Sequence, residues 1–344
     1  MEFRIIREIN DFRSLKCDWE KIEKTSKNIT YFSTFQYCFT WFENFKSIEE
    51  KLFIVTVTHN NKIVGIAPFK IRKVESKLLK KRVVEFISDG DYADLLLANL
   101  TDINCSNIIS KIFECLFEND KEWDEINLTH ISQNSLLVNF LLSRKYNKCL
   151  NYLIENPFID FSKYKDHDEY SKEFISSKLK QYSNKFQKKI NYKIIVTNDN
   201  VINSISKIHL AQKEDSNINR NKKRHSHFEN KSYFNFLTKL YTNNKNVLTY
   251  LLIDTDNKDE IISYFTGYVY NNKFHSVSTA VNPKYNHFRV GRVFNNLIYK
   301  LNWSDKKWEV FDMGAGRYEW KFELTNSFNL LYTFNLLKIY IIIL

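Results

Sequence analysis

The segment from Phe311 to Phe322, FDMGAGRYEWKF, holds the densest group of residues that could do chemistry. Two of the six glycines in the 344-residue chain, Gly314 and Gly316, fall there, directly after an apolar run that predicts a strand. The pattern D-x-G-x-G is similar to the phosphate-binding turn of a nucleotide-binding βαβ unit, but Glu319 stands where the third glycine would be. The sequence therefore predicts a tight turn here and argues against a dinucleotide-binding one.

A second segment, 274–299, has the order strand, basic loop, helix. The loop is cationic and ends at a glycine; its chemistry-bearing residues are Lys284, His287, Arg289, Gly291 and Arg292. Such a loop places backbone N–H groups and the positive end of a helix dipole beside cationic side chains, which suits a pyrophosphate group. An ordinary strand-to-helix connection that uses its glycine for a turn is the alternative.

The chain is basic, with 51 Lys and Arg against 40 Asp and Glu and a net charge of +11. This balance predicts either an anionic partner or a solvated basic surface. Hydrophobic residues make up 43% and aromatic residues 16%, which excludes disordered and collagen-like classes. The basic helix predicted over 168–190 and the basic run 220–225 come with no groove-entering motif, so we expect no dedicated nucleic-acid binding.

The five cysteines are widely spaced and form no C-x-x-C pair, which predicts free thiols in a reducing, cytoplasmic compartment. His209 and Glu214 are five residues apart on a predicted helix and do not share a face, so we expect no metal site. The apolar run 335–344 is shorter than the roughly 20 residues that a membrane span needs. It predicts a buried strand, and we expect no membrane span.

Hydrophobic periodicity predicts alternating helices and strands along the whole chain. The predicted helices are 11–24, 33–46, 105–118, 134–143, 168–190, 200–213 and 230–242. The predicted strands are two runs within 51–74, then 82–87, 124–130, 192–197, 246–254, 260–271 and 274–281. We place a domain boundary at 160/161, which gives domains of 1–160 and 161–344, and we expect the last residues to pack back as a strand.

The segment around Gly291 resembles the acyl-CoA-binding core of the GNAT acetyltransferases, in which a strand, a pyrophosphate loop and a helix follow one another. Gly291 matches the last glycine of their R/Q-x-x-G-x-G/A signature, while Arg289 stands at its first glycine and Asn286 at its Arg or Gln. The closing FDMGAGRYEWKFEL resembles more specifically the end of the tandem CelD-like (BioF2-like) GNAT proteins, relatives of the FemABX peptidoglycan aminoacyltransferases. Their closing motif is roughly F-D-x-G-x-G-x-x-x-Y-K-x-x-F; Trp320 replaces its Tyr, and Lys321 keeps its Lys.

The first half resembles the same branch at Trp19, at TYFSTFQYCFTWFENF (30–45), and at the segments 63–68 and 90–95. The basic helix before YKIIV resembles the one that opens the second domain of these proteins. The resemblance implies an α/β fold of two tandem GNAT-like domains, each a mixed, mostly antiparallel sheet flanked by helices. Residues 1–160 would form the acceptor side and residues 161–344 the acyl-CoA side.

The reaction of this family is direct attack of an amine on a thioester, which needs positioning, an oxyanion donor and a route for the amine proton. The resemblance implies that acyl-CoA is held by the residues Val277, Ser278, Thr279, Ala280, Arg289, Val290, Gly291 and Arg292. The candidate catalytic residues are Lys321, Tyr318 and His275; the alternative for Lys321 is a structural lysine paired with Asp312 or Glu323. The candidate acceptor-binding residues are Asp91, Tyr92 and Asp94, with a solvated turn as the alternative.

The function implied is an acyl-CoA-dependent N-acyltransferase, with acetyl-CoA or another acyl-CoA as co-substrate and no metal. Its acceptor would be a small-molecule amine of a sugar or cell-envelope precursor, for which a nucleotide-linked sugar is one candidate. Two alternatives stay open. One is an aminoacyl-tRNA-dependent transferase like FemABX, and the other is a non-catalytic GNAT-like protein that binds an anionic ligand. The acceptor, the acyl group, the general base and the oligomeric state are left open by the sequence.

Overall fold

A computed structural model describes residues 1–26, 29–47, 49–75, 80–99, 104–143, 146–219 and 223–338. Residues 220–222 of the basic run and 339–344 of the apolar end lie outside these ranges. The chain forms two compact units: Met1–Glu155 together with the residues from Asn329 onward, and Asn156–Phe328. The domain boundary expected at 160/161 falls at the end of a strand that begins in the first unit.

The elements of the first half are β1 (Glu2–Ile6), α1 (Ile9–Ser14), α2 (Lys16–Thr25), α3 (Phe35–Phe45), β2 (Glu50–Leu52), β3 (Ile54–His59), β4 (Lys62–Ala67), β5 (Phe69–Glu75), β6 (Lys80–Phe86), β7 (Leu96–Leu97), α4 (Cys105–Glu118), β8 (Glu125–Ser132), α5 (Leu136–Leu142) and β9 (Leu150–Asp160). Those of the second half are α6 (His167–Phe174), α7 (Ser177–Lys189), β10 (Tyr192–Thr197), α8 (Ile202–Asn219), α9 (Lys231–Tyr241), β11 (Val247–Asp254), β12 (Glu260–Tyr270), β13 (Lys273–Val281), α10 (Val290–Asp305), β14 (Val310–Asp312), α11 (Glu319–Phe322) and β15 (Phe328–Leu337).

The first unit contains two groups of paired strands. One has the order β1-β3-β4-β7 with antiparallel neighbours, and the other has the order β15-β8-β6-β5-β2, in which β6 and β8 run parallel. The amphipathic helix α4 buries Ile108, Ile112 and Leu116, at helical spacing, in the core of this unit. β15 includes residues 335–337 of the strand predicted over 335–344, and Phe334 and Leu336 are buried in the same core; residues 339–344 of that prediction lie outside the described residues.

The second unit is built on the strand order β10-β11-β12-β13-β14-β9. Neighbouring strands are antiparallel, except that β13 and β14 run parallel and are connected through α10. A cluster of aromatic rings, including Phe274, Phe311 and Trp308, fills the core beneath this parallel pair. The predicted fold class, mixed sheets flanked by helices, is confirmed.

The prediction of a single helix over 168–190 is wrong, because the chain turns after α6 and begins a second helix, α7. Ser176 has an extended backbone (φ −62°, ψ 152°), and its hydroxyl accepts a hydrogen bond from Leu179 N at 3.2 Å. A serine in this position satisfies a free N–H group at the start of a new helix, which a periodic apolar pattern does not reveal. The helix predicted over 11–24 is also two helices, α1 and α2, which meet at Leu15 in a tight turn closed by hydrogen bonds from its N–H.

Candidate active site

The parallel strands β13 and β14 pair over only three residues. The register runs from Lys273 opposite Val310 to His275 opposite Asp312, where β14 ends, while β13 continues to Val281. Along 276–281 the edge of β13 that faced β14 has no strand partner within the described part of the chain. Such an edge presents backbone donors and acceptors that an extended, amide-containing ligand can pair with.

A β-bulge marks the point where β13 leaves β14. The register with β12 shifts from Thr266 opposite Ser278 to Gly267 opposite Ser276, so Val277 is the extra residue. Bulges bend a strand and change where its side chains point, and they are common beside active sites. The predicted thioester-binding segment Val277–Ala280 therefore lies on the bent, open part of β13.

Two side chains of this segment, those of Ser278 and Thr279, form hydrogen bonds with β12. Tyr264 Oη and Ser278 Oγ are 2.8 Å apart, and Thr279 Oγ1 donates to Tyr264 O at 2.8 Å. Ala280 is buried, whereas Thr279 is exposed. The hydroxyls of Ser278 and Thr279 are thus directed to β12, on the side of β13 opposite its open backbone edge.

The basic loop after β13 ends in the first turn of α10. Asn282 Oδ1 accepts a hydrogen bond from Lys284 N at 3.2 Å, and a 3-10 turn over Pro283–Phe288 leads to Arg289. Arg289 has a left-handed backbone (φ 54°) and gives the helix no side-chain cap, although its carbonyl accepts from Arg292 N and Val293 N. The first N–H groups of a helix have no partner inside the helix, so this turn is suited to an anion.

Arg289 has a left-handed backbone at the position where the GNAT signature has its first glycine. The family has its first glycine at this position, and glycine adopts positive φ without strain. Arg289 keeps the conformation and adds an exposed guanidinium. Val290 is buried, Arg292 is exposed, and a Cβ added to Gly291 would meet only Val281 Cγ2, at 3.6 Å, so space lies open beside Gly291.

Two neighbouring cavities open beside this turn. The smaller, of about 300 Å³, is lined by Ser176, Lys178, Leu179, Tyr182, Arg289 and Arg292. The larger, of about 630 Å³, shares Ser176, Leu179 and Arg292 with it and reaches Trp320 and Glu323. The sequence places Lys178 only in a predicted basic helix, because a helical pattern does not show which neighbour a lysine meets.

The predicted catalytic residue His275 is buried beside Asp312, at the last paired position of β13 and β14. His275 Nδ1 lies 3.6 Å from Asp312 Oδ2, and each side chain is 3% exposed. Asp312 Oδ1 accepts hydrogen bonds from Gly314 N and Asn156 Nδ2, both at 2.9 Å. These bonds fix the carboxylate at the start of the glycine-rich turn.

Lys321, on α11, is buried against the same turn. Its Nζ donates to Gly314 O at 2.7 Å and to Ala315 O at 3.2 Å, and the residue is 4% exposed. Gly314 (φ 76°) and Gly316 (φ 124°) supply the positive φ angles, and a Cβ on Gly316 would lie 2.6 Å from the Tyr318 ring. The predicted turn is thus present, and both of its glycines adopt backbone angles that favour glycine over other residues.

Aromatic rings surround the Lys321 ammonium. It lies 5.3 Å from the centre of the Tyr318 ring and 6.0 Å from that of Trp320, within range of cation–π attraction. Tyr318 is 59% exposed. Glu323, one of the two acids considered as partners for Lys321, forms an ion pair with Arg292. The three candidate catalytic side chains therefore gather around one turn, with His275 linked to it through Asp312.

The candidate acceptor residues lie in the first unit. Asp94 Oδ1 accepts from Ser135 Oγ and from Leu95 N, both at 2.8 Å, and burial raises the pKa of the Asp94 carboxyl to about 7. Tyr92 is buried, with its ring 6.4 Å from that of Phe32. Asp91 is partly exposed. The carboxyl of Asp94 is thus engaged with its own unit, and the acceptor role of all three residues stays a prediction.

The sequence also predicts no metal site and no membrane span. Among the described residues, no three His, Cys, Asp or Glu side chains lie together as a metal site would need. His209 is buried, 2.8 Å from Ser226 Oγ, and burial lowers its pKa to about 4. None of the helices in the described ranges has the length and apolar character to cross a membrane.

The second unit has the features of an acyl-transferring domain: a strand that runs past its parallel neighbour, then a basic turn and a helix. Residues 176–322 match the family model described as "Acetyltransferase (GNAT) domain", a range that runs from Ser176, the cap of α7, to the end of α11. Residues 176–322 therefore match a GNAT acetyltransferase domain, as the sequence predicted, and this match indicates an acyltransferase. No curated protein sequence matches the chain significantly.

Solved structures share the fold along nearly the whole chain. The structure of FemX is similar with a TM-score of 0.62 at 10% identity, and the match covers 100% of both chains. A conserved protein of unknown function from Bacteroides thetaiotaomicron gives 0.56 at 10% identity over 98% of this chain and 99% of that one. L-PGS from Bacillus licheniformis gives 0.53 at 10% identity over 92% and 90%. At such identity the likeness concerns the fold, and it agrees with the predicted relation to the FemABX branch.

Proposed function

We propose that this acyltransferase takes its acyl group, an acetyl group in the first instance, from acyl-CoA and transfers it to an amine. The observation that carries the proposal is the open edge of β13 over 276–281, which leads directly into the first turn of α10. An extended ligand with amides at one end and a diphosphate at the other fits this order of features. Acyl-CoA is such a ligand.

Each part of the ligand has a candidate partner on the chain. The amides of the pantetheine arm pair with the open backbone edge of β13, as a peptide adds to a sheet. The diphosphate meets the N–H groups at the start of α10, with Arg289 and Arg292 beside it. The space beside Gly291 lets the phosphates approach the backbone closely, because no Cβ occupies it.

In the proposed reaction the amine nitrogen attacks the thioester carbonyl, the new C–N bond forms, and the C–S bond then breaks. The amine loses one proton and the departing thiolate gains one. The buried Lys321 ammonium stabilises the negative charge that develops on the carbonyl oxygen. The exposed Tyr318 hydroxyl protonates the thiolate, and His275 with Asp312 forms part of the route by which the amine proton leaves.

We propose that the acceptor is an amine of a sugar or cell-envelope precursor, with the first unit as the acceptor side. Of its three candidate residues, Asp91 is partly exposed, and we assign to it the contact with the amine. All five cysteines are free thiols, which supports work in the reducing cytoplasm, where acyl-CoA is made. We propose no dedicated nucleic-acid binding.

Binding and transfer assays on the full chain test this function. Isothermal calorimetry with acetyl-CoA and CoA should show binding, and labelled acetyl-CoA should acetylate amino sugars or their nucleotide-linked forms. Binding and turnover of aminoacyl-tRNA without binding of CoA would replace the proposal with the aminoacyl-tRNA-dependent alternative. Binding of CoA without transfer to any amine would favour the non-catalytic alternative.

A further inference from the structure

The smaller cavity beside the first turn of α10 is unusually cationic. Three of its six lining residues are Lys178, Arg289 and Arg292, and none of the six is acidic. The larger cavity next to it includes Glu173 and Glu323, and Glu323 already forms an ion pair with Arg292. A multiply charged anion is therefore attracted more strongly to the smaller cavity.

The lysine that distinguishes this cavity comes from α7. Packing fixes this helix against the loop before α10: the rings of Phe186 and Phe288 are 5.7 Å apart, edge to face, and Lys185 Nζ lies 5.9 Å from the centre of the Phe288 ring. Lys178 is seven residues, about two turns, before Lys185, so it lies on the same side of α7. Lys178 is thereby placed at the cavity by the apolar face of its helix.

The anion site rests on these side chains more than on the end of α7. The hydroxyl of Ser176 already accepts a hydrogen bond from Leu179 N, so it caps the helix. The proposed diphosphate at the first turn of α10 lies next to the cavity, because Arg289 and Arg292 line the cavity as well. A ligand anchored there by its diphosphate has its ribose within a few bonds of the cavity. CoA carries one further phosphate, on the 3′-hydroxyl of that ribose.

We propose that this cavity is the subsite for the 3′-phosphate of CoA and that Lys178 is its specificity-determining residue. The inference rests on the proposed use of acyl-CoA and deepens it, because it states which form of the donor the chain selects. Lys178 supplies a cation for the added dianion, and Arg289 and Arg292 are shared between this phosphate and the diphosphate. The chain then prefers CoA to 3′-dephospho-CoA.

Calorimetric titration with CoA and with 3′-dephospho-CoA tests the subsite on the full chain. A charge-assisted hydrogen bond to a phosphate makes the expected preference for CoA roughly tenfold in the wild type. Lys178→Ala should lose most of that preference by weakening CoA binding while leaving 3′-dephospho-CoA almost unchanged. Lys188→Ala, an equal loss of charge at an exposed position of the same helix outside the cavity, should keep the wild-type ratio.

The outcomes separate the subsite from the proposed function. Equal affinity of the wild type for the two compounds, or an unchanged ratio in Lys178→Ala, would overturn the subsite while acyl-CoA use survives. Failure of the wild type to bind either compound would overturn acyl-CoA use together with the subsite. Melting temperatures of both variants within a degree or two of the wild type would show that Lys178 acts on binding and not on folding.

Discussion

His275 and Asp312 face each other at the last register pair of β13 and β14, with Nδ1 and Oδ2 3.6 Å apart and both side chains 3% exposed. The pair stands where the two strands stop pairing and the backbone of β13 becomes open. Asp312 Oδ1 also accepts a hydrogen bond from Gly314 N. One carboxylate therefore connects the imidazole to the turn that Lys321 contacts. The end of the strand pairing thus contains one candidate catalytic residue, His275, and is linked through Asp312 to the turn that contacts another, Lys321.

The Asp312 carboxylate is expected to stabilise the fold strongly. Asp312→Ala removes the acceptor for Gly314 N and for Asn156 Nδ2 inside the protein, and buried donors that lose their partner are costly. We expect the free energy of unfolding to fall by about 3 kcal/mol. Urea denaturation measures it, with Asp305→Ala, an exposed aspartate at the end of α10, as the control. A loss as small as that of the control would show that Asp312 does not organise the turn.

The sequence was most informative where a residue type is demanded by the backbone. Gly314 and Gly316 were predicted to form a turn, and both have positive φ. Gly291 was assigned to a ligand loop, and the space beside it is open. Scarce glycines are informative because most other positions have been filled by residues with side chains.

Contacts between elements distant in sequence could not be predicted. The position of Lys178 at the cavity depends on the turn that Ser176 makes between α6 and α7 and on the packing of Phe186 against Phe288. The pairing of β15 with β8 joins residues about 200 apart, and no local pattern specifies such a partner. Periodicity predicts a helix or strand but not its neighbour.

Lys321→Met is expected to reduce turnover while acetyl-CoA still binds. The methionine side chain is unbranched and one atom shorter, and it lacks the charge that would stabilise the carbonyl oxygen, so we expect kcat to fall about 100-fold with little change in the dissociation constant. Stopped assays and calorimetry measure the two quantities. Lys321→Arg should recover part of kcat, because the charge returns.

The same variants decide between a catalytic and a structural Lys321. Loss of the bonds to Gly314 O and Ala315 O should lower the melting temperature of Lys321→Met. A melting temperature that falls while kcat at a temperature well below it stays normal would make Lys321 a structural residue. Lys306→Met, at an exposed lysine just after α10, is the matched control.

Gly291→Asp is expected to abolish CoA binding without unfolding the chain. The new Cβ would lie 3.6 Å from Val281 Cγ2, an ordinary contact, so the fold should tolerate it. The carboxylate would repel the diphosphate at the first turn of α10, and we expect affinity to fall by a factor of about 100 or more. Gly291→Ala is the control for size alone and should weaken binding far less. If Gly291→Asp and the wild type bind CoA equally, the diphosphate is held elsewhere.

Asp94 makes stability depend on pH in a direction opposite to that of a salt-bridged aspartate. Burial raises the pKa of its carboxyl to about 7, so between roughly pH 4 and 7 the folded chain holds a proton that the unfolded chain releases. The stability that comes from this proton is full below about pH 4 and is lost as the pH rises through 7. Burial raises the pKa of Glu23 to about 7 as well. Asp94 therefore accounts for only part of the fall in the free energy of unfolding as the pH rises.

Asp94→Asn should therefore raise the free energy of unfolding at pH 8, by on the order of 2 kcal/mol, and leave it nearly unchanged at pH 4. The amide oxygen can still accept from Ser135 Oγ and Leu95 N, so the turn keeps its hydrogen bonds. Urea denaturation from pH 4 to pH 8 measures how the free energy of unfolding changes with pH. The control Asp305→Asn should show the same pH dependence as the wild type. A variant less stable than the wild type at pH 8 would mean that the charged carboxylate is favoured in the fold. Asp94 would then be available as an anion for the acceptor amine at neutral pH.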